Sequence, residues 1–406
     1  MSTVSEILKT LPESASWQEE LYKHLHAHPE LSMQESETRK EIAKRLEEYG
    51  YTVHELGGGV VGVLENGEGK TVLFRADFDA LPVKEETGLD YASTATQEDR
   101  DGNVVPVMHA CGHDMHVTTA LGAAKSMAEN TDAWSGTYLA LFQPGEETAE
   151  GAQSMVDAGL VEKLPTPDVA LSQHVLANPE AGKVTVTDGA ALSTAVSVKI
   201  TVYGKGSHGS MPHLGVDPVV LSSAIVTRLQ TIVAREIAPS DFGVVTVGSL
   251  QAGSKANIIP DSAVLRINFR AYSEEIRDTL VAAVERIVRA ECEAARSPRE
   301  PEFEYTDRYP LTNNDADVAA TVKDALVEAL GEDNVVPMSP LTASEDFSVV
   351  PDAFGTPYCY WGFGGFTADQ DAVPNHNPQF APAIQPTMTT GTTAAVAAVM
   401  AFLAQK

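Results

Sequence analysis

Basic residues and cysteine are the two shortages in this 406-residue chain. Lysine and arginine number 28 against 57 aspartates and glutamates, a formal net charge of -29. A surface so acidic repels nucleic acid and anionic membranes, so neither is expected as a partner; an anionic substrate would need local positive charge from a metal or an arginine. The three cysteines are Cys111, Cys292 and Cys359. An odd, sparse set argues against a disulfide framework and for a reducing cytoplasm. No run approaches the ~20 apolar residues of a membrane span. Residues 392–404 are too few and too Ala-rich, and read as a buried helix. The opening MSTVSEILKT lacks a basic start followed by an apolar stretch, so no secretory leader is expected. Neither H-E-x-x-H nor G-x-S-x-G occurs, so neither signature metalloprotease helix nor nucleophile elbow is expected.

The content is that of a globular enzyme, 43% hydrophobic and 21% charged, long enough for two domains. The spacing of apolar residues predicts helices at 17–27 and 35–49, then strands at 51–55, 60–65 and 71–79. A helix at 116–130, a strand at 136–143, a helix at 150–158 and a buried strand at 168–175 follow. This alternation predicts an α/β fold, a catalytic domain with a central, mostly parallel sheet and helices on both faces. Near residue 188 the pattern changes to strand (195–203), long helix (216–237), two strands (242–250, 263–272) and helix (274–296). That order predicts a small α+β domain with its own core. The expected division is therefore 1–187, first part of the catalytic domain; 188–302, an inserted lid and dimerisation domain; and 303–406, the remainder, entered through the linker SPREPEF.

The chemistry-bearing residues lie at predicted strand ends and loops. MHACGHDMH, residues 108–116, holds His109, Cys111, His113, Asp114 and His116 in nine positions. Thiolate and imidazole suit zinc and similar ions, and Cys111 and His113 flank a single glycine. FQPGEE, residues 142–147, ends a strand in a Pro-Gly turn followed by two carboxylates. In such a pair one carboxylate can bind a metal while the other accepts a proton from water. His174 closes the strand DVALSQHV, and His376 lies in the loop PNHNPQF. In RADFDALP, Asp77 is placed to hydrogen-bond a ligand histidine. Taken singly, each has a blander reading: packing histidines, a solvated Glu pair, a loop-capping aspartate.

Two motifs are set aside. GEGKT at 67–71 lacks the glycine a phosphate loop needs, since that position is Leu64. GKGSHG at 204–209 satisfies G-x-G-x-x-G, but Pro212 stands where the receiving helix must begin.

The ordered motifs LHAHPELS, RADFDALP, MHACGHD, FQPGEE, GKGSHGSMPH, NIIPD, SEDF and NHNPQF together resemble one family across nearly the whole chain. It is the aminoacylase, carboxypeptidase and hippurate hydrolase family of co-catalytic metallopeptidases. The resemblance is greatest to the branch of hippurate hydrolases, auxin-conjugate hydrolases and bacterial N-acyl-amino-acid (N-acyl-glutamine) aminoacylases. It implies a metal-dependent amidohydrolase that cleaves N-acyl amino acids. A dipeptidase or carboxypeptidase of the same family is the alternative, and a catalytically inactive binding protein the alternative of another class. It implies two divalent ions per chain, zinc or manganese or cobalt, held by Cys111, His113, Glu147, His174 and His376, with Glu146 as general base and acid and Asp77 behind the ligands. In the inserted domain it implies His208 as an oxyanion donor, Asn257 and Arg270 on the substrate carboxylate, and a homodimer. Relatives outside the branch carry a ligand histidine near the position of Arg75, and its replacement fits the use of Cys111.

Overall fold

The computed structural model describes residues 3–9 and 11–405. In chain order the main elements begin with helices α1 (Leu11–Ala27) and α2 (Ser36–Glu48) and strands β1 (Thr52–Leu56), β2 (Gly59–Asn66) and β3 (Thr71–Asp77). Helix α3 (His113–Glu129), β4 (Trp134–Gln143), α4 (Gly151–Asp157), β5 (Val169–Glu180) and β6 (Val184–Val186) follow. Then come β7 (Thr194–Tyr203), β8 (Ser207–His208), α5 (Pro218–Leu229), β9 (Gly243–Ala252), β10 (Ile258–Ile259), β11 (Ser262–Ala271), α6 (Glu274–Ala294) and β12 (Glu302–Tyr309). The chain ends with α7 (Ala316–Leu330), β13 (Val335–Pro337), β14 (Tyr358–Phe366), α8 (Ile384–Met400) and β15 (Ala404–Gln405). No helix among the described residues is long and apolar enough to cross a membrane.

Contacts divide the chain into two units, one of residues 1–191, 313–339 and 346–406, the other of 192–312 and 340–345. The first is built on a nine-stranded sheet in the order β1-β2-β4-β3-β5-β14-β6-β13, with β15 beside β4. Its centre is parallel: β3 lies between β4 and β5, and β14 runs along β5. Antiparallel pairs finish it towards β1 and at β6. Central strands of a parallel sheet are covered on both faces, so they read as continuous apolar runs. Accordingly Val72, Leu73, Phe74, Leu139, Leu141 and Leu171 are all at most 1% exposed. Each contributes roughly 1.5–3 kcal/mol of apolar burial. In such sheets ligands collect beyond the carboxyl ends of the strands, and here β3 ends at Asp77 and β4 at Gln143.

The second unit has its own core. A four-stranded antiparallel sheet, ordered β9-β11-β7-β12, packs one face against α5 and α6 through Ile200, Ile225, Leu265, Phe269, Leu280 and Val288. The expected helix over 216–237 is broken at Gln230 into α5 and a short helix, Thr231–Arg235.

Candidate metal centre

Two left-handed glycines shape the loops that carry the candidate ligands. Gly112 has φ 81 and directly precedes α3; a Cβ there would lie 2.4 Å from Val175 Cγ1. Only glycine fits this turn, which leaves Cys111 in the loop and His113 as the first helical residue. Gly145, φ 54, turns the chain after β4 so that Glu146 and Glu147 open a single 3-10 turn, Glu146–Thr148. His174 lies within β5. His376 is held at φ 69 with its N–H donated to Ala110 O at 2.8 Å, which ties the 374–380 loop to the Cys111 loop.

These side chains converge as two triads that share one atom. Cys111, His113 and His174 offer ligand atoms within 4.8 Å of one another, and so do Cys111, Glu147 and His376. Cys111 Sγ is 3.5 Å from His174 Nε2, and Glu147 Oε1 is 3.3 Å from His376 Nε2 and 3.9 Å from His113 Nε2. Glu146 joins His113 and Glu147 in a further group, so the expected base stands beside the expected ligands. The donor set fits divalent ions for a specific reason. His113 Nε2 and Glu147 Oε1, one from each triad, are buried without a hydrogen bond, a costly state that a cation held by each triad would relieve.

Hydrogen bonds sort the histidines. His174 Nδ1 donates to Val175 O at 2.7 Å, leaving its Nε2 lone pair towards Cys111. His113 Nδ1 bonds Asp79 Oδ1 at 3.1 Å, leaving Nε2 towards Glu147. His116 is different. Its Nε2 accepts the Val175 N–H at 2.8 Å and its Nδ1 donates to Asp77 at 2.5 Å, so no nitrogen remains for an ion. His109 lies outside both triads, and burial lowers it to about 4. Burial alone would also lower His113, but the charge of Asp77 and the bond to Asp79 hold it well above the usual imidazole range. Cys111 and Glu147 raise His376 to about 10. Burial, with His116 adjacent, pushes His174 well below its usual value.

The structure shifts attention from Asp77 to Asp79. Asp77 accepts from Arg75 at 2.6 Å and from His116, and lies 3.7 Å from His113 Nε2. The aspartate that bonds a candidate ligand is Asp79, which also accepts the Glu147 N–H at 3.0 Å and Ser32 Oγ–H at 2.6 Å. Both aspartates stand in one motif around Phe78, and only the end of β3 separates their tasks. Arg75 is buried and also bonds Gln143 and Asp346, fixing the end of β4. Asn375 was also missed; its amide donates to Cys111 O at 3.3 Å and Val175 O at 3.2 Å, joining two ligand segments.

The remaining candidates belong to the second unit. His208 is exposed on β8, which pairs with β10, and its Nδ1 is 2.7 Å from Ser210 Oγ. Asn257, also exposed, accepts the Gly209 N–H through its carbonyl at 2.8 Å. Arg270 is half-buried on β11 and donates to Asn268 Oδ1 at 2.9 Å and Ser344 Oγ at 2.6 Å. No ion pair is formed by its guanidinium among the described residues; burial lowers its pKa, against the opposing charges of Tyr309 and Asp307.

Residues 73–401 match the model of a known family, described as peptidase family M20/M25/M40. The chain belongs to that family. Membership makes it an enzyme, a hydrolase of amide bonds. Thermostable carboxypeptidase 1 of Saccharolobus solfataricus is 34% identical over 94% of each chain. The hippurate hydrolase of Campylobacter jejuni is 35% identical, covering 86% of this chain and 87% of that one. Among solved structures, a dinuclear metal binding peptidase from the M20 family of Bacillus subtilis superimposes with a TM-score of 0.77 at 25% identity, over 96% of this M20-family chain and 98% of that one.

Proposed function

We infer that this M20-family chain is a metal-dependent amidohydrolase that cleaves the amide bond of N-acyl amino acids, releasing a carboxylic acid and a free amino acid. The observation that carries the reading is the pair of donor triads meeting at Cys111 with Glu146 alongside. Cys111, His113 and His174 would hold one divalent ion, and Cys111, Glu147 and His376 a second; zinc or manganese suits this donor set, with cobalt able to stand in. Bound there, the ions supply Lewis acidity towards the scissile carbonyl and a water acidified near neutrality.

The chain's own residues do the rest. Glu146 takes a proton from the attacking water and delivers it to the leaving amine. Glu147, tethered by its N–H to Asp79, keeps its carboxylate aimed at His113 and His376. In the second unit, His208 is the proposed donor to the developing oxyanion. Arg270, charged and without an ion pair among the described residues, is the proposed anchor of the substrate carboxylate, with Asn257 beside it in that role. We assign the second unit as lid and dimerisation domain. Support for pairing with a second copy comes from exposed Met211, Leu214, Val220 and Ile258, at 49%, 53%, 65% and 53%. Three free, buried cysteines favour a reducing, cytoplasmic setting.

The carboxypeptidase relative favours a second reading, peptide rather than N-acyl substrates. An amine-release screen over acetyl, benzoyl and long-acyl amino acids and over dipeptides, with zinc, manganese and cobalt, separates the two. Fastest release from N-acyl amino acids supports the first reading; faster release from dipeptides replaces it with the second.

A further inference from the structure

The segment between α1 and α2 makes no part of either donor triad, yet it grips the loop that carries Glu146. Glu35 Oε1 accepts two backbone N–H groups, that of Met33 at 2.8 Å and that of Gly145 at 2.9 Å. Both donors belong to residues in the left-handed region, Met33 at φ 63 and Gly145 at φ 54, and a Cβ on Gly145 would lie 2.4 Å from Met33 Sδ. A non-glycine residue held at positive φ is strained backbone that the surroundings must impose. The other side of Gly145 is equally engaged: its carbonyl accepts from Glu150 N, Gly151 N and Thr148 Oγ1. A second carboxylate repeats the link one step on, since Asp79 Oδ2 joins Ser32 Oγ to the N–H of Glu147.

Helix capping does not explain Glu35. It precedes α2, but its side chain makes no cap hydrogen bond. The second and third N–H groups of that helix go instead to Glu30, from Glu37 at 3.0 Å and Thr38 at 2.8 Å. Nor is the carboxylate there for an ion pair. It is 6% exposed, and burial followed by the charge of Asp79 raises it to about 7. A carboxylate kept in so unfavourable a place, on the amide N–H of the residue that precedes Glu146, points to a task at that turn.

We propose that Glu35 is a positioning residue for the catalytic base, fixing the amide of Gly145 and with it the turn that carries Glu146. It does not touch substrate or ions. Its oxygen sets the direction of the Glu146 backbone, while Asp79 sets that of Glu147, so the two adjacent carboxylates keep separate orientations. This rests on the reading of Glu146 as the base, and the test is chosen so that the two can fail separately.

The variants are Glu35→Ala, which removes the acceptor, and Glu35→Gln, which keeps the oxygen at the same length. Each is loaded with zinc and assayed for ions per chain, for kcat and KM with hippurate, and for amide hydrogen exchange across residues 143–150. Misplacing a reacting group by about 1 Å costs on the order of 10²-fold. Glu35→Ala is therefore expected to lose ~10²-fold in kcat with KM within about 3-fold, to keep two ions, and to exchange faster at Gly145. Glu35→Gln should recover kcat to within about 5-fold and restore the slow exchange. Unchanged exchange in Glu35→Ala, wild-type kcat in its ion-loaded form, or equal losses in both variants would overturn the proposal. Should the wild-type chain hydrolyse neither hippurate nor any other N-acyl amino acid, the amidohydrolase reading falls by itself. The exchange comparison then still decides whether Glu35 holds the Gly145 peptide.

Discussion

Glu146 and Glu147 are adjacent, yet the turn at Gly145 gives each a different set of neighbours. Glu147 faces His113 and His376, and its backbone N–H is tied to Asp79. Glu146 is 6% exposed at the rim of the same cluster. Glu146→Gln preserves size but cannot accept a proton, so kcat should fall ~10²–10⁴-fold while both ions stay bound. Glu147→Gln should instead lower ion occupancy, and ion analysis of the two purified variants reads the difference directly. Asp79→Ala should weaken ion binding ~10–100-fold, because His113 loses the bond that fixes its ring. This last role was not legible in the sequence. RADFDALP announces two aspartates, but which one meets His113 depends on where β3 ends, and that is decided by its pairing with β4 and β5. The candidate ligands stood out in the sequence only through the ordered motifs and the family they resemble, since each alone also reads as a packing histidine or a solvated carboxylate.

At the scale of elements, α3 begins at His113, three residues earlier than its apolar periodicity predicts. His113, Asp114 and His116 do not look like a buried first turn, but each finds a partner there. Asp114 Oδ2 meets His26 Nδ1 of α1 at 2.7 Å, and His26 Nε2 meets Glu85 at 3.0 Å. Burial alone would lower His26, but its bonds to Asp114 and Glu85 raise it from 6.5 to about 10. A raised folded-state pKa stabilises fully below the unfolded value and is lost as pH rises through the folded one. The stability that His26 contributes should therefore be complete below pH 6.5 and gone by about pH 10. Melting temperatures across that window should fall more steeply for the wild-type chain than for His26→Gln; parallel curves would show that the pair contributes no such linkage. Strand β12 was among the elements not predicted, because the two prolines of SPREPEF hid an edge strand that pairs with β7 only over long sequence distance.

At the scale of the whole molecule, the sequence made a two-part α/β enzyme legible because the pattern of apolar periods changes near residue 188. Spacing and periodicity alone did not bring residues 111, 147 and 376 together; the family resemblance named them as joint ligands, and long-range pairing is what places them side by side. The proposed homodimer has its own test. If His208 serves the partner's site, inactive Glu146→Gln and His208→Ala chains should complement when refolded together. Random mixing puts about half the dimers in the mixed form, each with one intact site, so about a quarter of wild-type activity is expected. No recovery, with mixed dimers shown to form, would return His208 to its own chain's site or remove it from catalysis.

If amide hydrolysis depends on ions held by the two triads around Cys111, removing them must abolish it. This dependence is tested most directly by stripping the chain with a chelator, verifying removal, and titrating zinc back while counting bound ions and hippurate hydrolysis together. The expected result is no activity in the stripped chain, two ions bound per chain at saturation, full recovery, and failure of Cys111→Ser to hold either ion tightly. Full activity after verified removal of metal would contradict it.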